Sequence, residues 1–431
     1  MPEDQGLPRL FAVVVVATAA LLAGLATVQG FVLALAIPPL VLVGWALWQA
    51  PRRLNLDVRR HLDQDRVAQG EHIRTVLTVE DREEALEHAL VEQPFPAGLG
   101  KRDGEHEGWL RLEPGRASRL EHRLEGARGY YVLPPLRIAA SDPFGLFNVT
   151  ETYDPLNRLF VLPRAIKIPT MAIQARRTRV YPGLIPARKG GPGVEFFGLR
   201  EYQAGDSWRW LNHRATARSD TTLFVNEFQL ERAIDIGLIL DIRAVTNVFT
   251  GDRSILEFSI QATASLADTL LAYGNRVGLF LYGGSIDWTF PGSGKQQYEK
   301  ILRTLARAKV ETSQIFNRLD YVPARLFPHR SLLLLISPLH PDDHAELLKL
   351  RARGYQVIVV SPDPIAFEES LLEDDEEREL AARLAALERT HLTGRLLRGG
   401  IRVTMWDTRQ PFSEAARGIF GHPHQIQALR I

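Results

Sequence analysis

The stretch AIDIGLILD (233–241) decides the fold of the C-terminal half of the chain. It is almost continuously apolar and carries an acid at its end, which is typical of a strand buried on both faces of a parallel sheet. The sequence predicts an amphipathic helix over 253–274 that ends at a glycine. A buried strand followed by such a helix is the repeating unit of an α/β fold.

The same alternation continues to the C-terminus. Further strand-like runs are RVGLFLY (276–282), SLLLLIS (331–337), YQVIVVSPD (355–363) and IRVTMWDT (401–408), with helical runs at 294–309, 342–353 and 411–420. We therefore predict an α/β domain over 231–431, built on a doubly wound parallel sheet with helices on both faces. Ligands of such sheets bind outside the carboxyl ends of the strands.

Upstream lies the densest mixture of charged and aromatic residues in the chain, within GVEFFGLREYQAGDSWRWLNHRATAR (193–218). Charges among aromatic rings predict partly desolvated ion pairs, in which arginine is the favoured cation. The candidate binding residues are Glu195, Arg200, Glu201, Tyr202, Asp206, Arg209 and Arg218. Two interpretations stay open: a docking or ligand-binding surface, and an internal network that clamps two domains together.

This segment resembles the signature of the domain of unknown function 58 family. The matching residues are Gly193, Glu195, Phe196, Leu199, Arg200, Tyr202, Gly205, Asp206, Arg209, Ala215, Ala217 and Arg218. The sequence differs from the family signature at one place, where Asn212 and His213 replace the family's Asp-Trp pair. The resemblance implies a membrane-associated protein with a von Willebrand A-like domain. It also implies a MoxR-type AAA+ ATPase as partner and often a transglutaminase-like protein.

A metal-binding von Willebrand A domain uses an Asp-x-Ser-x-Ser loop, a threonine and a second aspartate to bind a divalent ion. Here Asp241 keeps the first acid, but Arg243 and Val245 replace the serines, and Ser337 precedes Pro338 where the second acid is expected. We predict a degenerate site without metal, with Asp241 as a weak candidate ligand. Asp241 would pair with Arg243 or cap the following helix.

The acids of LHPDDH (339–344) are predicted to lie at a solvated helix N-terminus, where they complement the helix dipole. The acidic run FEESLLEDDEEREL (367–380) predicts a solvated helix or a mobile insertion. A contact with a basic patch of a partner is the alternative for this run.

Residues 55–168 contain short strand-like runs separated by glycine and proline, which predict a β-sandwich. Within it, SDPFGLFNV (141–149) predicts a structural corner, with Phe144 and Phe147 in the core beneath. Residues 169–230 are interpreted as a linker that carries the signature segment.

The first fifty residues predict a membrane anchor. No charged residue lies from Leu10 to Ala50, which is about twice the length that one helix needs to cross a bilayer. We predict two transmembrane helices within 1–50, broken at Gln29, with a kink at Pro38. The bilayer would contact the chain from Leu10 to Trp48, and the arginines on both flanks place both termini and the soluble body in the cytoplasm.

The composition and net charge of the whole chain argue against several classes of function. The net charge of +1 gives no general attraction for nucleic acid, and the absence of cysteine excludes disulfides and cysteine-based metal or redox sites. PGSGKQ (291–296) lacks the full phosphate-loop pattern, and the histidines form no H-E-x-x-H motif, so we expect no cofactor.

These observations predict a membrane-anchored multidomain protein that is not an enzyme. We expect a scaffold or adaptor that works with a MoxR-type AAA+ ATPase in the assembly or maturation of partner proteins. One alternative is a metal-dependent adhesion module or enzyme that uses Asp241. The other is a structural protein of the cell envelope.

Overall fold

The computed structural model describes residues 6–50, 54–81, 86–101, 107–113, 115–168, 185–219, 221–232, 234–250, 253–284, 286–310, 319, 326–329, 331–369 and 376–420. The chain divides into two compact units, Met1–Leu162 and Pro163–Ile431.

The N-terminal unit begins with helices α1 (Gly6–Thr27), α2 (Gly30–Ala34) and α3 (Ile37–Gln49). The helical stretches Pro8–Thr27 and Gly30–Gln49 are each long and apolar enough to cross a membrane. The second stretch is interrupted after Ala34 because Pro38 has no amide hydrogen to donate to the carbonyl four residues earlier. The first stretch packs closely against the second at Gly24, where an added Cβ would lie 2.8 Å from the backbone of Leu33.

Eleven strands follow among the described residues of the same unit. They are β1 (Leu56–Leu62), β2 (Arg66–Ala68), β3 (Ile73–Asp81), β4 (Leu86–Glu92), β5 (Leu99–Lys101), β6 (Glu107–Leu112), β7 (Ala117–Gly126), β8 (Gly129–Leu133), β9 (Leu136–Ser141), β10 (Asn148–Tyr153) and β11 (Asn157–Leu162). Two antiparallel four-stranded sheets have the orders β1-β3-β7-β5 and β10-β9-β4-β6, and a third has the order β2-β11-β8.

The two four-stranded sheets share one apolar core. Leu77 and Val79 of β3 pack in the same cluster as Val91 of β4 and Ile138 of β9. Along β3 every second residue is buried, which is the pattern of a strand with one face toward a core.

The corner at 141–149 is built on the buried carboxylate of Asp142. It accepts hydrogen bonds from the backbone amides of Phe144, Leu146 and Phe147 at 2.9, 2.7 and 2.7 Å. The prediction that Phe144 fills the core is wrong, because its side chain is 45% exposed and Leu146 is buried instead. The amides wrapped around Asp142 direct Leu146 inward and leave Phe144 at the tip of the turn.

The C-terminal unit begins with a long antiparallel hairpin, β12 (Ile185–Glu201) and β13 (Phe224–Arg232). The sequence predicted only a linker here. The pairing register shifts three times, for example between Ala187 and Gly190. Each such irregularity breaks the period of two by which a strand is recognised in a sequence.

The loop of this hairpin contains a 3₁₀ turn at Trp208–Trp210 and helix α4 (His213–Thr216). The strands that follow are β14 (Asp235–Ile242), β15 (Phe249–Thr250), β16 (Arg253–Ser254), β17 (Arg276–Gly283), β18 (Asp287–Gly292), β19 (Leu332–Ile336), β20 (Gln356–Pro362) and β21 (Arg402–Trp406). The helices are α5 (Ile255–Ala272), α6 (Gly294–Arg307), α7 (Asp343–Ala352), α8 (Pro364–Glu369), α9 (Glu376–Arg398) and α10 (Phe412–Phe420).

Six of these strands form one sheet with the order β18-β17-β14-β19-β20-β21. All neighbours are parallel except β17 and β18, so the predicted parallel sheet has an antiparallel edge. All eight residues of β14 are buried at its centre. The strand order reverses between β14 and β19, and a crevice at such a reversal is where doubly wound sheets bind ligands.

Candidate functional site

The reversal point of the sheet is occupied by an arginine. Arg243 directly follows β14, and its side chain is only 2% exposed. Its guanidinium donates to Asp241 from Nε at 2.9 Å and from Nη2 at 2.7 Å. It also donates to Asp343, at the start of α7, from Nη1 at 3.0 Å and from Nη2 at 2.7 Å. One cation thus bridges two buried carboxylates in a bidentate manner.

Further groups complete the hydrogen bonding of both acids. The hydroxyl of Ser337, after β19, donates to Asp241 Oδ2 at 2.7 Å. The backbone amide of His340 donates to Asp343 Oδ2 at 2.8 Å. We call Asp241, Arg243, Ser337 and Asp343 the Arg243 cluster.

An aromatic ring supports the guanidinium. Arg243 Cζ lies 5.0 Å from the ring centroid of Tyr282, on the neighbouring strand β17. Burial works to lower the pKa of Arg243, but Tyr282 and the two carboxylates outweigh it, so the pKa is raised and the side chain stays charged. Burial raises the pKa of Tyr282, which therefore stays neutral.

The cluster does not fit a divalent metal ion. Such an ion needs several oxygen ligands around an open position, and the guanidinium already fills the space between the two acids. Among the described residues, no group of three or more His, Asp or Glu side chains could hold a metal. Of the two predicted roles of Asp241, the structure shows the pairing with Arg243.

The prediction of a solvated N-terminus at 339–344 needs a correction. The side chain of Asp342 is 84% exposed, but that of Asp343 is buried and binds Arg243. Its buried partner lies a hundred residues away in the sequence.

The signature segment forms a second site, in the hairpin loop. Arg200, near the end of β12, donates from Nη1 and Nη2 to the two carboxylate oxygens of Asp206 at 2.7 and 2.6 Å. The backbone amide of Gln203 donates to the same carboxylate at 2.8 Å. The hydrogen bond from Arg200 lowers the pKa of Asp206, and the carboxylate raises the pKa of Arg200. This pair closes the first turn of the loop.

The rest of the loop is also held by its own contacts. The rings of Tyr202 and Trp208 lie 5.5 Å apart. Asn212 caps α4 by accepting from the amide of Ala215 at 2.9 Å, and its side-chain amide donates to Asn226 Oδ1 on β13 at 2.7 Å.

This loop presents basic and aromatic side chains to solvent. Trp208 is 67% exposed. Arg209, His213, Arg214 and Arg218 are exposed as well. We call these five residues the loop surface.

The predicted binding residues therefore separate into two groups. Arg200 and Asp206 pair with each other, and Tyr202 is half-buried beside Trp208. Glu201, Arg209 and Arg218 are exposed. The side chain of Glu195 lies outside the described residues. Asp343 and Ser337 were not selected from the sequence, because their roles depend on contacts with distant residues.

A family model described as "Protein of unknown function DUF58" matches residues 198–379. No curated protein matches the chain. Among solved structures, an uncharacterised membrane-spanning protein from Vibrio fischeri is 15% identical, with 46% of this chain and 98% of that chain covered. Its TM-score of 0.18 is too low to support a statement about the fold. The family match includes both the loop surface and the Arg243 cluster, so residues 198–379 are similar to a family whose function is unknown.

Proposed function

We propose that this protein is a non-enzymatic, membrane-anchored scaffold or adaptor whose loop surface binds a protein partner. The observation that carries the proposal is the loop itself, in which exposed Trp208 and Arg209 stand on a base fixed by the Arg200–Asp206 pair. Tryptophan and arginine are the residues that dominate binding energy at protein interfaces. A surface held rigid before binding loses little conformational entropy when a partner docks.

The Arg243 cluster argues against metal-dependent chemistry at the edge of the sheet. Both of its carboxylates are already used by Arg243, and each accepts a further hydrogen bond. The proposal includes a von Willebrand A-like fold for the α/β sheet, supported by its strand order and its antiparallel edge strand. It also includes a β-sandwich for 55–168, supported by the shared core of two sheets.

The two apolar N-terminal helices would anchor the scaffold, with both termini in the cytoplasm. The resemblance to the family suggests a MoxR-type AAA+ ATPase as partner. Because four of the five residues of the loop surface are arginine or histidine, we expect the partner to present an acidic patch. A transglutaminase-like protein is a further candidate partner.

The test is co-purification from detergent-solubilised membranes with the MoxR-type ATPase of the same cell. Trp208→Ala combined with Arg209→Glu changes the loop surface and leaves the Arg200–Asp206 pair intact. Trp109→Ala combined with Arg119→Glu is the matched control, because both of those side chains are exposed on the other unit. We expect at least a tenfold loss of ATPase recovery with the first variant and none with the control.

Equal recovery with wild type and both variants would show that the loop surface is not the binding site. Failure to recover any ATPase with wild type would contradict the scaffold proposal and favour a structural role in the cell envelope. Circular dichroism and proteolysis of each variant would establish that it remains folded.

A further inference from the structure

The first half of helix α9 carries a stripe of exposed leucines. Leu380, Leu384 and Leu387 are 70%, 61% and 68% exposed. Their spacing of four and three residues places them along one line of the helix, in the pattern of a coiled-coil seam. Contiguous large apolar side chains on a protein surface mark an interaction site.

The stripe faces away from the domain that carries it. α9 is anchored by its second half, where Leu392 and Leu396 are buried in the core of the α/β unit. Arg389 donates to Ser361 Oγ at 2.7 Å and to the carbonyl of Pro338 at 2.7 Å. At 100° per residue Leu396 and Arg389 lie on the side of the helix opposite the leucines, and Leu392 lies between the two sides.

The exposed half of α9 gains little stability from its own domain. None of the described residues from 377 to 391 is fully buried. A helix of this length is marginally stable in water unless an apolar face is packed. The leucine stripe is the apolar face that such packing would use.

The charges beside the stripe indicate what packs on it. Glu377 and Arg395 are exposed and lie 18 residues apart, which is five helical turns, so they occupy the same flank of the stripe. The guanidinium of Arg395 also contacts Nε2 of His344 in its own copy. In an antiparallel pair of α9 helices with the two-fold axis at Leu384, Glu377 of one copy lies opposite His391 of the other. It is then one turn from Arg395. A parallel pair would place like charges together.

We propose that α9 pairs with α9 of a second copy of this chain, antiparallel, through Leu380, Leu384 and Leu387. The charged residues of α9 are mostly glutamate in its first turns and arginine in its last turns, so the helix has no continuous basic face of the kind that adsorbs to anionic membranes. Because Glu377 lies near one end of α9 and Arg395 near the other, two antiparallel copies of the helix place opposite charges near each other. This proposal is independent of the loop surface.

The first test is the mass of the full chain in detergent, measured by size exclusion with light scattering. We expect wild type at twice the chain mass of 48.4 kDa and Leu384→Glu/Leu387→Glu at the single mass. Ala381→Glu/Ala386→Glu adds the same charges to exposed positions off the stripe and should keep the double mass. Wild type at the single mass, or a double mass for the leucine variant, would overturn the proposal.

The second test gives the orientation in native membranes and does not depend on detergent. Because the chain has no cysteine, single substitutions can be cross-linked without background. Leu384→Cys should form a disulfide with its own copy, since it lies at the axis, whereas Glu377→Cys should not. Glu377→Cys should instead form a cross-link when it is co-expressed with Arg395→Cys. Equal self-cross-linking at 377 and 384 would indicate a parallel pair and contradict the proposal.

Discussion

Replacement of Arg243 by methionine should destabilise the α/β unit strongly. The guanidinium holds Asp241 and Asp343 at 2.7 Å each, and all three side chains are at most 3% exposed. With charge centres ~4 Å apart and an effective dielectric constant of about 20, each attraction amounts to ~4 kcal/mol. Part of this offsets the cost of burying the charges. From measured cases, removal of one partner from a buried ion pair costs about 3–5 kcal/mol.

The pH dependence of this variant has a defined sign. Without Arg243, the two acids face each other in a buried site, which raises the pKa of at least one of them above its unfolded value. A group whose pKa is raised on folding contributes stability at low pH and loses it as the pH rises. The variant should therefore recover part of its loss between pH 8 and pH 5, whereas the wild type, with both acids paired, should not show this recovery.

Hydrogen exchange followed by mass spectrometry can locate the effect within the full chain. Peptides that cover β14 and β19 should exchange about two to four orders of magnitude faster in Arg243→Met at pH 8, given ~1.4 kcal/mol per tenfold change. Arg307→Met is the control, because Arg307 forms a half-exposed pair with Asp287 at 2.9 Å on the same unit. A surface pair of this kind contributes at most about 1 kcal/mol.

An acceleration below tenfold, or one equal at pH 5 and pH 8, would refute the account of the cluster as a buried ion network. A triple variant, Arg243→Met with Asp241→Asn and Asp343→Leu, provides a further check. Because no unpaired charge remains buried, it should be more stable than Arg243→Met alone.

Three more predictions concern hydrogen bonds elsewhere. Asp142→Ala removes the acceptor of three backbone amides and should lower the stability of the N-terminal unit by about 1–3 kcal/mol in thermal unfolding, with Asp142→Asn less affected. The hydrogen bond from Arg200 lowers the pKa of Asp206 in the folded protein. The ionised Asp206 therefore stabilises the loop at every pH above its unfolded pKa of about 3.9. This stabilisation is lost only as the pH falls through the lower pKa of the folded state. Limited proteolysis of the loop should thus be equal at pH 5 and pH 8, and Asp206→Asn should accelerate it at both. Gln297→Leu leaves the carbonyls of Val277 and Phe290 without their donor and should raise hydrogen exchange in β18, consistent with a loss of about 1–3 kcal/mol.

The α/β unit could be predicted from the sequence where the local pattern and the tertiary environment agree. The run at 233–241 covers all but the last residue of the buried strand β14 (Asp235–Ile242), and the helix predicted at 253–274 is α5 (Ile255–Ala272). In both, continuous burial requires continuous apolar sequence. The edge strand β18 escaped prediction because one of its faces is exposed and a proline and a glycine end it.

For helix α9 a local pattern was visible in the sequence, but the pattern did not indicate that the helix is fixed to the domain. Leucines at helical spacing within an acidic run predicted a solvated helix or a mobile insertion over 367–380. The structure has a helix from Glu376 to Arg398 that is anchored through Leu392 and Leu396. Those anchors lie beyond the acidic run, so the composition of the run alone could not reveal a fixed helix with an outward apolar stripe.

The Arg243 cluster was predictable only in part, because its members lie far apart in the chain. The sequence predicted a degenerate metal site in which Asp241 either pairs with Arg243 or caps the following helix. The pair is present, and Asp343 joins it from a hundred residues away.

A guanidinium at this edge of the sheet behaves differently from a bound metal ion. A bound metal can be removed by chelation or exchanged, whereas the guanidinium is part of the chain and titrates only above pH ~12. The charge at this edge of the sheet is therefore fixed under all physiological conditions. Under the scaffold proposal, chelation of divalent cations should leave direct partner binding unchanged when no nucleotide is required.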